Sequence, residues 1–471
     1  MSTETFDVAI TLSPDFRVGR VDPRLFGSFL EHMGRAVHGG VFEPGHPEAD
    51  DDGFRTDVLD LVRRLGTTAV RYPGGSFVSG YRWEDGVGPR EHRPTRLDLA
   101  WHATETNAFG TDELMRWCRR ADVEPMLAVN LGTRGVQEAV DLVEYCNHPG
   151  GTRLSDLRRA HGAEDPYDVR LWFLGNEMDG AWQIGHRPAA DYGRLAAATG
   201  RAMRMVDPRI ELVACGSWAP ASATFATWES AVLQECYDTV DHISLHSYHD
   251  PTGRTPAAYL ATAHELDLAI DAVVATADHV GAALRSPKRL QVAVDEWNVW
   301  YRSRWIDPDP DRWPQAPPLL EDTYDDLDAT MVASLLVTLL RHADRVSLAC
   351  LAQLVNVIAP IRTDPGGAAW RQTTFEPFAR IAAAARGEVL RVEPRVATYE
   401  AEAGEVPLLD ATATYDEENG AVVLVLVNRS VTSTARTRVA LRGFPLATLD
   451  GARELEVAPL SWTVVDLGQR A

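Results

Sequence analysis

Residues 54–72, FRTDVLDLVRRLGTTAVRY, contain the unit whose repetition decides the fold. In residues 54–65 the apolar side chains recur at three-to-four spacing, which is typical of a helix with one buried face. Gly66 marks the expected end of that helix. Residues 69–72 then form a short, largely apolar run with the character of a buried strand. The segment therefore predicts a helix followed at once by a strand.

The same alternation of apolar runs and helix-period segments continues along most of the chain. Strands are predicted at residues 25–30, 69–72, 125–129, 170–174, 210–215, 242–245, 290–294 and 346–354. Helices are predicted at residues 54–65, 111–120, 136–145, 192–205 and 257–284. Eight strands that alternate with helices predict an α/β fold, a (β/α)₈ TIM barrel. An open doubly wound sheet is the alternative, but no G-x-G-x-x-G motif follows the first strand.

The pattern changes after a helical segment at residues 375–386. Apolar and polar residues alternate from residue 389 onward, with turn signals such as Glu418-Asn419-Gly420 between the runs. This predicts a C-terminal antiparallel β-sandwich, jelly-roll-like. We expect residues 1–20 to supply a strand that joins the sandwich, residues 21–386 to form the barrel, and residues 387–471 to form the sandwich.

Charge and cysteine content limit the class of protein. The 471 residues carry a net charge of −22, which disfavours nucleic acid as a partner because phosphate binding needs a basic face. The five cysteines are scattered without a C-x-x-C pair, which argues against a disulfide framework. The first residues lack a secretory signal, and the apolar run at 329–340 is too short to cross a bilayer. We expect a cytoplasmic protein with no membrane partner.

Two of the predicted barrel strands are followed by a glutamate. LWFLGNEMDG contains Asn176 and Glu177, and VAVDEWNVWY contains Glu296. The C-terminal ends of barrel strands meet at one face, where barrel enzymes keep their active sites. A carboxylate buried there is costly unless it is paired, so two of them predict a carboxylate pair, as glycosidic cleavage requires. The alternative is that both glutamates form ion pairs with loop arginines.

Further polar and aromatic residues are expected on the same rim. For most single members, ordinary packing is as good an interpretation as substrate contact. Residues 306–328 follow the seventh strand and are expected to form a long loop beside the cleft, with a solvated insertion as the alternative. The rim set consists of Glu31, Ser76, Trp101, Asn107, Trp182, His246, Tyr248, Trp297, Trp300, Gln353 and Asn356.

Three histidines on the sixth strand have a spacing that resembles metal ligands. His242 and His246 share one face of a strand, whereas His249 points the other way or lies beyond the strand end. Asp241 and Asp250 could complete a site of hard ligands. We favour core or substrate-orienting histidines, and predict neither a metal ion nor a cofactor.

Seven motifs in this order resemble the α-L-arabinofuranosidases of glycoside hydrolase family 51. They are FGSFLEHMGRAVHGGVFEP, RYPGGSFVSGYRWEDGVGP, RLDLAWHATETNAFGTDE, WFLGNEMDG, DHISLHSY, DEWNVWY and AQLVNVIAPI. The resemblance runs from about Phe26 to the C-terminus. It implies a retaining exo-furanosidase that acts on arabinose-containing oligosaccharides and assembles as a homo-oligomer, often a hexamer.

The resemblance also implies roles for individual residues. Glu177 would be the acid/base and Glu296 the nucleophile. The furanose hydroxyls would be held by Glu31, Asn176, Tyr248 and Gln353, and the sugar site would be bordered by Trp101 and Trp300.

Two positions depart from the family pattern. Ser76 stands where the family usually has asparagine, and His102 stands where it tends to have glutamine. Because both glutamates are kept, these changes affect the expected sugar preference more than the reaction. A related furanosidase or another retaining glycosidase is therefore the main alternative. A non-catalytic sugar-binding protein and a metal-dependent barrel hydrolase are the others.

Overall fold

The computed structural model describes residues 4–445 and 451–468, and its helices and strands follow in chain order. The strands of the first 351 residues are β1 (Thr5–Leu12), β2 (Arg17–Arg20), β3 (Gly27–Phe29), β4 (Ala69–Tyr72), β5 (Arg96–Asp98), β6 (Ala103–Glu105), β7 (Glu124–Val129), β8 (Leu171–Leu174), β9 (Glu211–Ala214), β10 (His242–His249), β11 (Gln291–Val299) and β12 (Val346–Leu351). The later strands are β13 (Ile361–Thr363), β14 (Ala369–Arg371), β15 (Glu388–Leu390), β16 (Thr398–Ala401), β17 (Gly404–Pro407), β18 (Leu409–Asp416), β19 (Ala421–Asn428), β20 (Thr434–Leu441), β21 (Gly451–Val457) and β22 (Ser461–Asp466). The helices are α1 (Thr56–Leu65), α2 (Thr111–Ala121), α3 (Val136–Asn147), α4 (Arg153–Ala160), α5 (Ala189–Val206), α6 (Thr227–Cys236), α7 (Pro256–Leu284), α8 (Asp326–Arg341) and α9 (Phe375–Ala384).

Eight parallel strands close into a barrel. Their order around the barrel is β3, β4, β7, β8, β9, β10, β11 and β12, and β12 pairs back onto β3. The barrel interior is filled by apolar side chains, among them Phe29, Met126, Phe173 and Leu348. The predicted barrel is confirmed. Because side chains fill the interior, we expect a functional site at the ends of the strands.

The unit at residues 54–72 folds as its pattern predicts. In α1 the buried residues are Val58, Leu59, Val62 and Leu65, one face of the helix. Gly66 ends the helix in the left-handed region at φ 79°, a conformation that glycine adopts without strain. All four residues of β4 are buried. A helix-period face and a fully buried run therefore become the outer and inner layers of the barrel.

The C-terminal strands form the predicted sandwich. One sheet has the order β1-β20-β21, and the other has the order β2-β15-β18-β19-β22. The two sheets share a separate apolar core, to which β1 contributes Val8, Ile10 and Leu12. The strand β1 runs parallel to β20, from Thr5 beside Thr434 to Leu12 beside Leu441. The first strand of the chain thus lies in the same sheet as residues more than four hundred positions away. The division of the chain at residues 20 and 386 stays a prediction.

The five-stranded sheet packs against the barrel with its other face. Val389, Val425 and Val427 belong to the large core that also holds the barrel helices. A buried ion cluster lies at this junction, where Asp410 of β18 accepts a hydrogen bond from Arg429 at 2.7 Å and pairs with Arg341 at the end of α8. The contact between the sandwich and the barrel is therefore both apolar and charged.

Several predicted elements differ from the structure. The helices α4, α6 and α8 were not predicted, and α8 is buried from Asp328 to Leu340, so it has no polar face to produce a helical period. The strands β10 and β11 extend to His249 and Val299, well past the predicted ends. Glu296 consequently lies within β11 instead of after it. None of the helices in the described residues is both long and apolar enough to cross a membrane.

A prediction follows from the position of β1. Replacing Ile10, which is 2% exposed, with alanine should lower the free energy of unfolding by about 2–5 kcal/mol, because it leaves a cavity in the sandwich core. The neighbouring Thr11→Ala is the control, since Thr11 faces outward from the same strand. Denaturant unfolding followed by circular dichroism measures both values. Equal losses for the two variants would contradict the assignment of Ile10 to the core.

Candidate active site

A cavity of about 430 Å³ opens at the C-terminal ends of the barrel strands. Ten of the fourteen site residues predicted from the sequence line it: Glu31, Ser76, Trp101, Asn176, Glu177, Trp182, Tyr248, Glu296, Trp300 and Gln353. Trp305 and Leu320, from the loop that follows β11, line it as well. The predicted loop beside the cleft therefore does border the cavity.

The two predicted glutamates approach each other at the base of this cavity. Glu177 lies three residues after β8, and its backbone has a positive φ of 43°. Glu296 lies on β11, which is the third strand after β8 in the order around the barrel. One carboxylate oxygen of each lies within 4.8 Å of the other. Two acidic groups 119 positions apart in the sequence thus share one small volume.

Arg71 is the buried cation beneath these carboxylates. It donates hydrogen bonds of 2.7 Å to Glu296 Oε1 and to Asn176 Oδ1, and its Nε lies 3.3 Å from Asp295 Oδ2. Its Cζ lies 4.8 Å and 4.7 Å from the ring centroids of Phe29 and Phe173. Burial opposes the charge, but Asp295 and Glu296 raise the pKa of Arg71. A guanidinium held in this way stays charged and fixes the groups around it.

His246 lies behind the carboxylates and does not line the cavity. Its Nδ1 is 2.9 Å from Glu177 Oε1 and 3.5 Å from Glu296 Oε2, and its Nε2 is 3.5 Å from Asp295 Oδ2. Burial works against protonation, yet the charges of Glu296 and Asp295 raise the pKa of His246. His246, which the sequence predicts to bind substrate, therefore contacts Glu177 and Glu296 from beneath the cavity instead.

The environments of Glu177 and Glu296 differ. Burial raises the pKa of Glu177, the hydrogen bond from His246 lowers it, and the charge of Glu296 raises it further, with a net upward shift. Glu296 instead receives hydrogen bonds from Arg71 and from Tyr248, whose hydroxyl donates to Oε2 at 2.8 Å. A buried carboxyl with a raised pKa next to a carboxylate held by donors is the arrangement of an acid beside a nucleophile.

Glu31 anchors the opposite wall of the cavity. It accepts hydrogen bonds of 2.9 Å from Phe77 N and Trp101 Nε1, and its backbone N–H donates to Gln353 Oε1 at 3.1 Å. Burial raises its pKa to about 8, with a contribution from the charge of Glu296. Glu31 is therefore largely neutral near pH 7 and presents a carboxylic acid to a ligand.

The glycines of RYPGGS allow backbone to reach the base of the cavity. A Cβ on Gly74, whose φ is 134°, would lie 2.2 Å from Glu31 Cγ. A Cβ on Gly75 would lie 3.1 Å from Glu296 Oε1 and 3.4 Å from Asn176 Nδ2. Asn176 Nδ2 is buried and has no hydrogen-bond partner among the described residues. The amide nitrogen of Asn176 lies beside both glutamates and is free to donate a hydrogen bond to a hydroxyl of a ligand.

Some residues of the predicted rim lie elsewhere. Trp297 is fully buried and stacks on Phe378 at an interplanar angle of 17°, so its prediction as a rim residue is wrong. The strand β11 continues past it, and the alternation of side chains turns Trp297 toward the helices. Asn107 and Asn356 are also buried, and their amides donate to the carbonyls of Pro94 and Arg35. His102 packs against Trp313, with ring centroids 3.7 Å apart.

The three histidines of β10 do not converge on one point. His242 Nε2 pairs with Ser347 Oγ at 3.0 Å, and His249 Nδ1 pairs with Thr262 Oγ1 at 2.9 Å. A second group, His32, His38 and Glu105, is joined by contacts of 2.8 Å and 3.1 Å between ring nitrogens and carboxylate oxygens. These separations are hydrogen-bond lengths, so these groups are satisfied by each other.

Sequence reasoning missed Arg71 and Asp295. Both lie inside strands that read as apolar, and only the presence of a charge within AVRY and VAVDE could have indicated them. A charged residue within a buried strand needs a partner, so the two sites could have been paired on that ground.

Comparison with known proteins finds two matching family models and several similar proteins. Two family models match, described as an α-L-arabinofuranosidase 1 domain at residues 61–267 and an α-L-arabinofuranosidase C-terminal domain at residues 295–458. An intracellular exo-α-(1→5)-L-arabinofuranosidase of Streptomyces lividans is 58% identical over 93% of this chain, which spans 66% of that relative. An exo-α-(1→6)-L-arabinofuranosidase of Bifidobacterium longum is 50% identical over 94% of this chain and 87% of its own length. The solved structure of a family 51 α-L-arabinofuranosidase from Bifidobacterium longum has a TM-score of 0.90 and 47% identity, and covers 93% of this chain and 89% of that one.

The buried cation gives a prediction about stability and pH. Arg71→Met should lower the free energy of unfolding at pH 7 by about 3–5 kcal/mol, because it leaves buried carboxylates without their cation. Although burial opposes it, Arg71 lowers the pKa of Asp295, so this stabilisation is present above the unfolded pKa of the carboxyl. In the variant, burial is left to raise the pKa of Asp295 without the opposing guanidinium, so its carboxyl can take up a proton, and the loss should shrink as the pH falls from 7 toward 4.

Thermal and denaturant unfolding at pH 7 and pH 4.5 measure this difference. Arg391→Met is the control, since Arg391 pairs with Glu393 and both side chains are exposed, so this variant should change stability little at either pH. A loss for Arg71→Met that is the same at both pH values would contradict the assigned role of the cation.

Proposed function

This chain belongs to the α-L-arabinofuranosidases of glycoside hydrolase family 51, and from that premise we propose that it releases terminal arabinofuranosyl residues from oligosaccharides. The observation that carries the proposal is the approach of Glu177 and Glu296 within 4.8 Å at the base of one cavity. Two carboxyl groups on either side of an anomeric carbon are the requirement for glycosidic hydrolysis.

The proposed reaction is a double displacement with retention of configuration. Glu296 attacks the anomeric carbon while Glu177 gives its proton to the leaving oxygen, so a glycosyl ester forms as the glycosidic bond breaks. Glu177 then takes a proton from water, which attacks the same carbon and releases Glu296. The short separation of the two carboxylates supports retention, since inverting enzymes need room for a water molecule between them.

The surroundings of each glutamate support this assignment. Burial raises the pKa of Glu177, which suits an acid that must be protonated before the first step. Arg71 and Tyr248 donate to Glu296 and stabilise its carboxylate, which suits the nucleophile. His246, 2.9 Å from Glu177, can hold a proton against that carboxyl and is proposed as its positioning residue.

The remaining wall residues are proposed to hold the sugar. The free amide of Asn176 lies where it can donate to a hydroxyl next to the anomeric carbon, and Glu31 and Gln353 form a hydrogen-bonded wall opposite. Trp101 and Trp300 border the same space. Ser76 also lines the cavity, and its hydroxyl makes no hydrogen bond with any described residue, so it is available to the substrate. Every step uses side chains of the chain, and the scheme requires no cofactor.

We propose the location from the name of a relative and the assembly from the family resemblance alone. The Streptomyces relative is named intracellular, and we propose the same location here, with short arabino-oligosaccharides as substrates. We also propose a homo-oligomer, with a hexamer as the expected form from the family resemblance.

The assignment of the two glutamates gives a prediction. Glu296→Ala should abolish turnover of all glycosides. Glu177→Ala should lower kcat/KM about 10²–10⁴-fold on substrates with poor leaving groups, and far less on nitrophenyl glycosides, because kcat/KM reports the first step and that leaving group needs no proton. On both substrates kcat should fall, because the second step lacks its base. Steady-state kinetics on an arabino-oligosaccharide and on a nitrophenyl arabinofuranoside measure these effects.

Glu235→Ala is the matched control, since Glu235 lies on the surface of α6 and pairs with Arg194. Circular dichroism should show that all three variants fold. Near-normal turnover by Glu296→Ala would refute its role as the nucleophile.

A substrate panel tests the sugar preference. Nitrophenyl α-L-arabinofuranoside should be hydrolysed at least about tenfold faster, by kcat/KM, than the D-galactofuranoside and D-xyloside counterparts. The variant Ser76→Asn should raise kcat/KM on the arabinofuranoside by up to about tenfold, because the asparagine side chain reaches further and its amide has two donors and an acceptor in place of one hydroxyl. Faster hydrolysis of either other glycoside by the wild-type protein would favour the alternative of a related furanosidase or another retaining glycosidase.

A further inference from the structure

One basic side chain lines the cavity that holds the two glutamates. Among the described residues around it, Arg302 is the cation, and the ionisable groups that accompany it are Glu31, Glu177 and Glu296. Arg302 begins the 3-10 turn Arg302–Arg304, just after Trp300 at the end of β11. It is exposed, whereas the three glutamates lie deep. The cavity is therefore acidic at its base and carries a positive charge near its mouth.

The charge of Arg302 has no partner in the part of the chain that the structure describes. Its side chain makes no hydrogen bond or ion pair there, and its Cζ lies 5.4 Å from the ring centroid of Trp300. Arg304, two positions further on, is different, since its guanidinium stacks on Tyr301 at 3.7 Å and lies 3.5 Å from Asp322 Oδ1. Two exposed arginines of one short turn thus differ in that only Arg302 faces the cavity with its charge uncompensated.

The wall beside Arg302 is suited to a second sugar ring. Trp182, which is 57% exposed, packs edge-on against Trp218, with ring centroids 5.2 Å apart, and both line the cavity with Trp305. Flat apolar surfaces of this kind accept the C–H face of a sugar. If the arabinofuranosyl unit lies at the base, as the proposed function requires, the group to which it is attached lies between these rings and Arg302.

We infer that Arg302 binds a carboxylate on the sugar to which the arabinofuranosyl unit is attached, so that the substrates include arabinofuranosides of hexuronic acids. A guanidinium is the side chain that best matches the two oxygens of a carboxylate, and its contact with Trp300 leaves its N–H groups free to donate. The net charge of −22 repels acidic substrates from the protein as a whole. A free cation at the mouth compensates for that repulsion where the substrate enters.

The test compares two disaccharides that share one glycosidic bond. The first is α-L-arabinofuranosyl-hexuronic acid, and the second is the same disaccharide with its carboxyl group reduced to an alcohol. The measured quantity is the ratio of kcat/KM for the acidic disaccharide to that for the neutral one. In Arg302→Gln this ratio should fall about threefold or more relative to the wild-type protein, the size expected for an exposed ion pair. In Arg302→Lys it should fall less.

Arg304→Gln is the matched control, because it removes the same charge from the same turn outside the cavity. It should leave the ratio unchanged.

Raising the salt concentration from 50 to 500 mM should lower the ratio of the wild-type protein and leave that of Arg302→Gln nearly constant. An equal ratio in Arg302→Gln and wild type, or an equal fall in Arg304→Gln, would overturn the inference. Failure of the wild-type protein to hydrolyse the neutral disaccharide and nitrophenyl α-L-arabinofuranoside would overturn the proposed function instead.

Discussion

The structure of the site depends on one buried ion cluster around Arg71. Its guanidinium lies between the rings of Phe29 and Phe173 and contacts Glu296 and Asn176 directly. Removing several carboxyl groups from water would cost more than the fold can supply if no cation accompanied them. Because these partners come from β4, β11 and the segment after β8, the cluster also fixes how three separate parts of the barrel edge lie relative to one another. The geometry of the carboxylate pair is a consequence of that arrangement.

The cluster also explains how two glutamates acquire different chemistry. Glu296 receives hydrogen bonds from a cation and from the Tyr248 hydroxyl, both of which stabilise the ionised form. Glu177 is buried, contacts His246 and feels the charge of Glu296, so its pKa is raised. Environments that differ in this way are those of an acid beside a nucleophile, the roles proposed for Glu177 and Glu296. Glu31 is a third buried carboxyl at this site, and burial raises its pKa to about 8. It is therefore largely neutral near pH 7 and adds little negative charge to the base of the cavity.

The fold was predictable because its information is periodic, whereas much of the site is not. The helix and strand of residues 54–72, the barrel and the sandwich all follow from the spacing of apolar residues. Arg71 and Asp295 were missed because each lies within an apolar run, where the strand pattern does not say which side chain faces the cavity. Trp297 was assigned to the cavity for the same reason, and α8 was missed because burial on all sides removes its period. In such cases the sequence does not show in which direction a side chain points, because the closed barrel as a whole determines that direction.

The base and the mouth of the cavity are built from different kinds of structure, and this separates two kinds of specificity. The base consists of side chains that lie on barrel strands or within three residues of their ends, held by Arg71 and by the hydrogen bonds between Glu31 and Gln353. A change there disturbs a charge cluster on which folding also depends, so the reacting sugar is difficult to alter. The mouth consists of loop residues such as Trp182, Trp305 and Arg302, which have few such ties. The proposed preference for the group beyond the cleaved bond can therefore change in this fold without disturbing the carboxylates that cleave it.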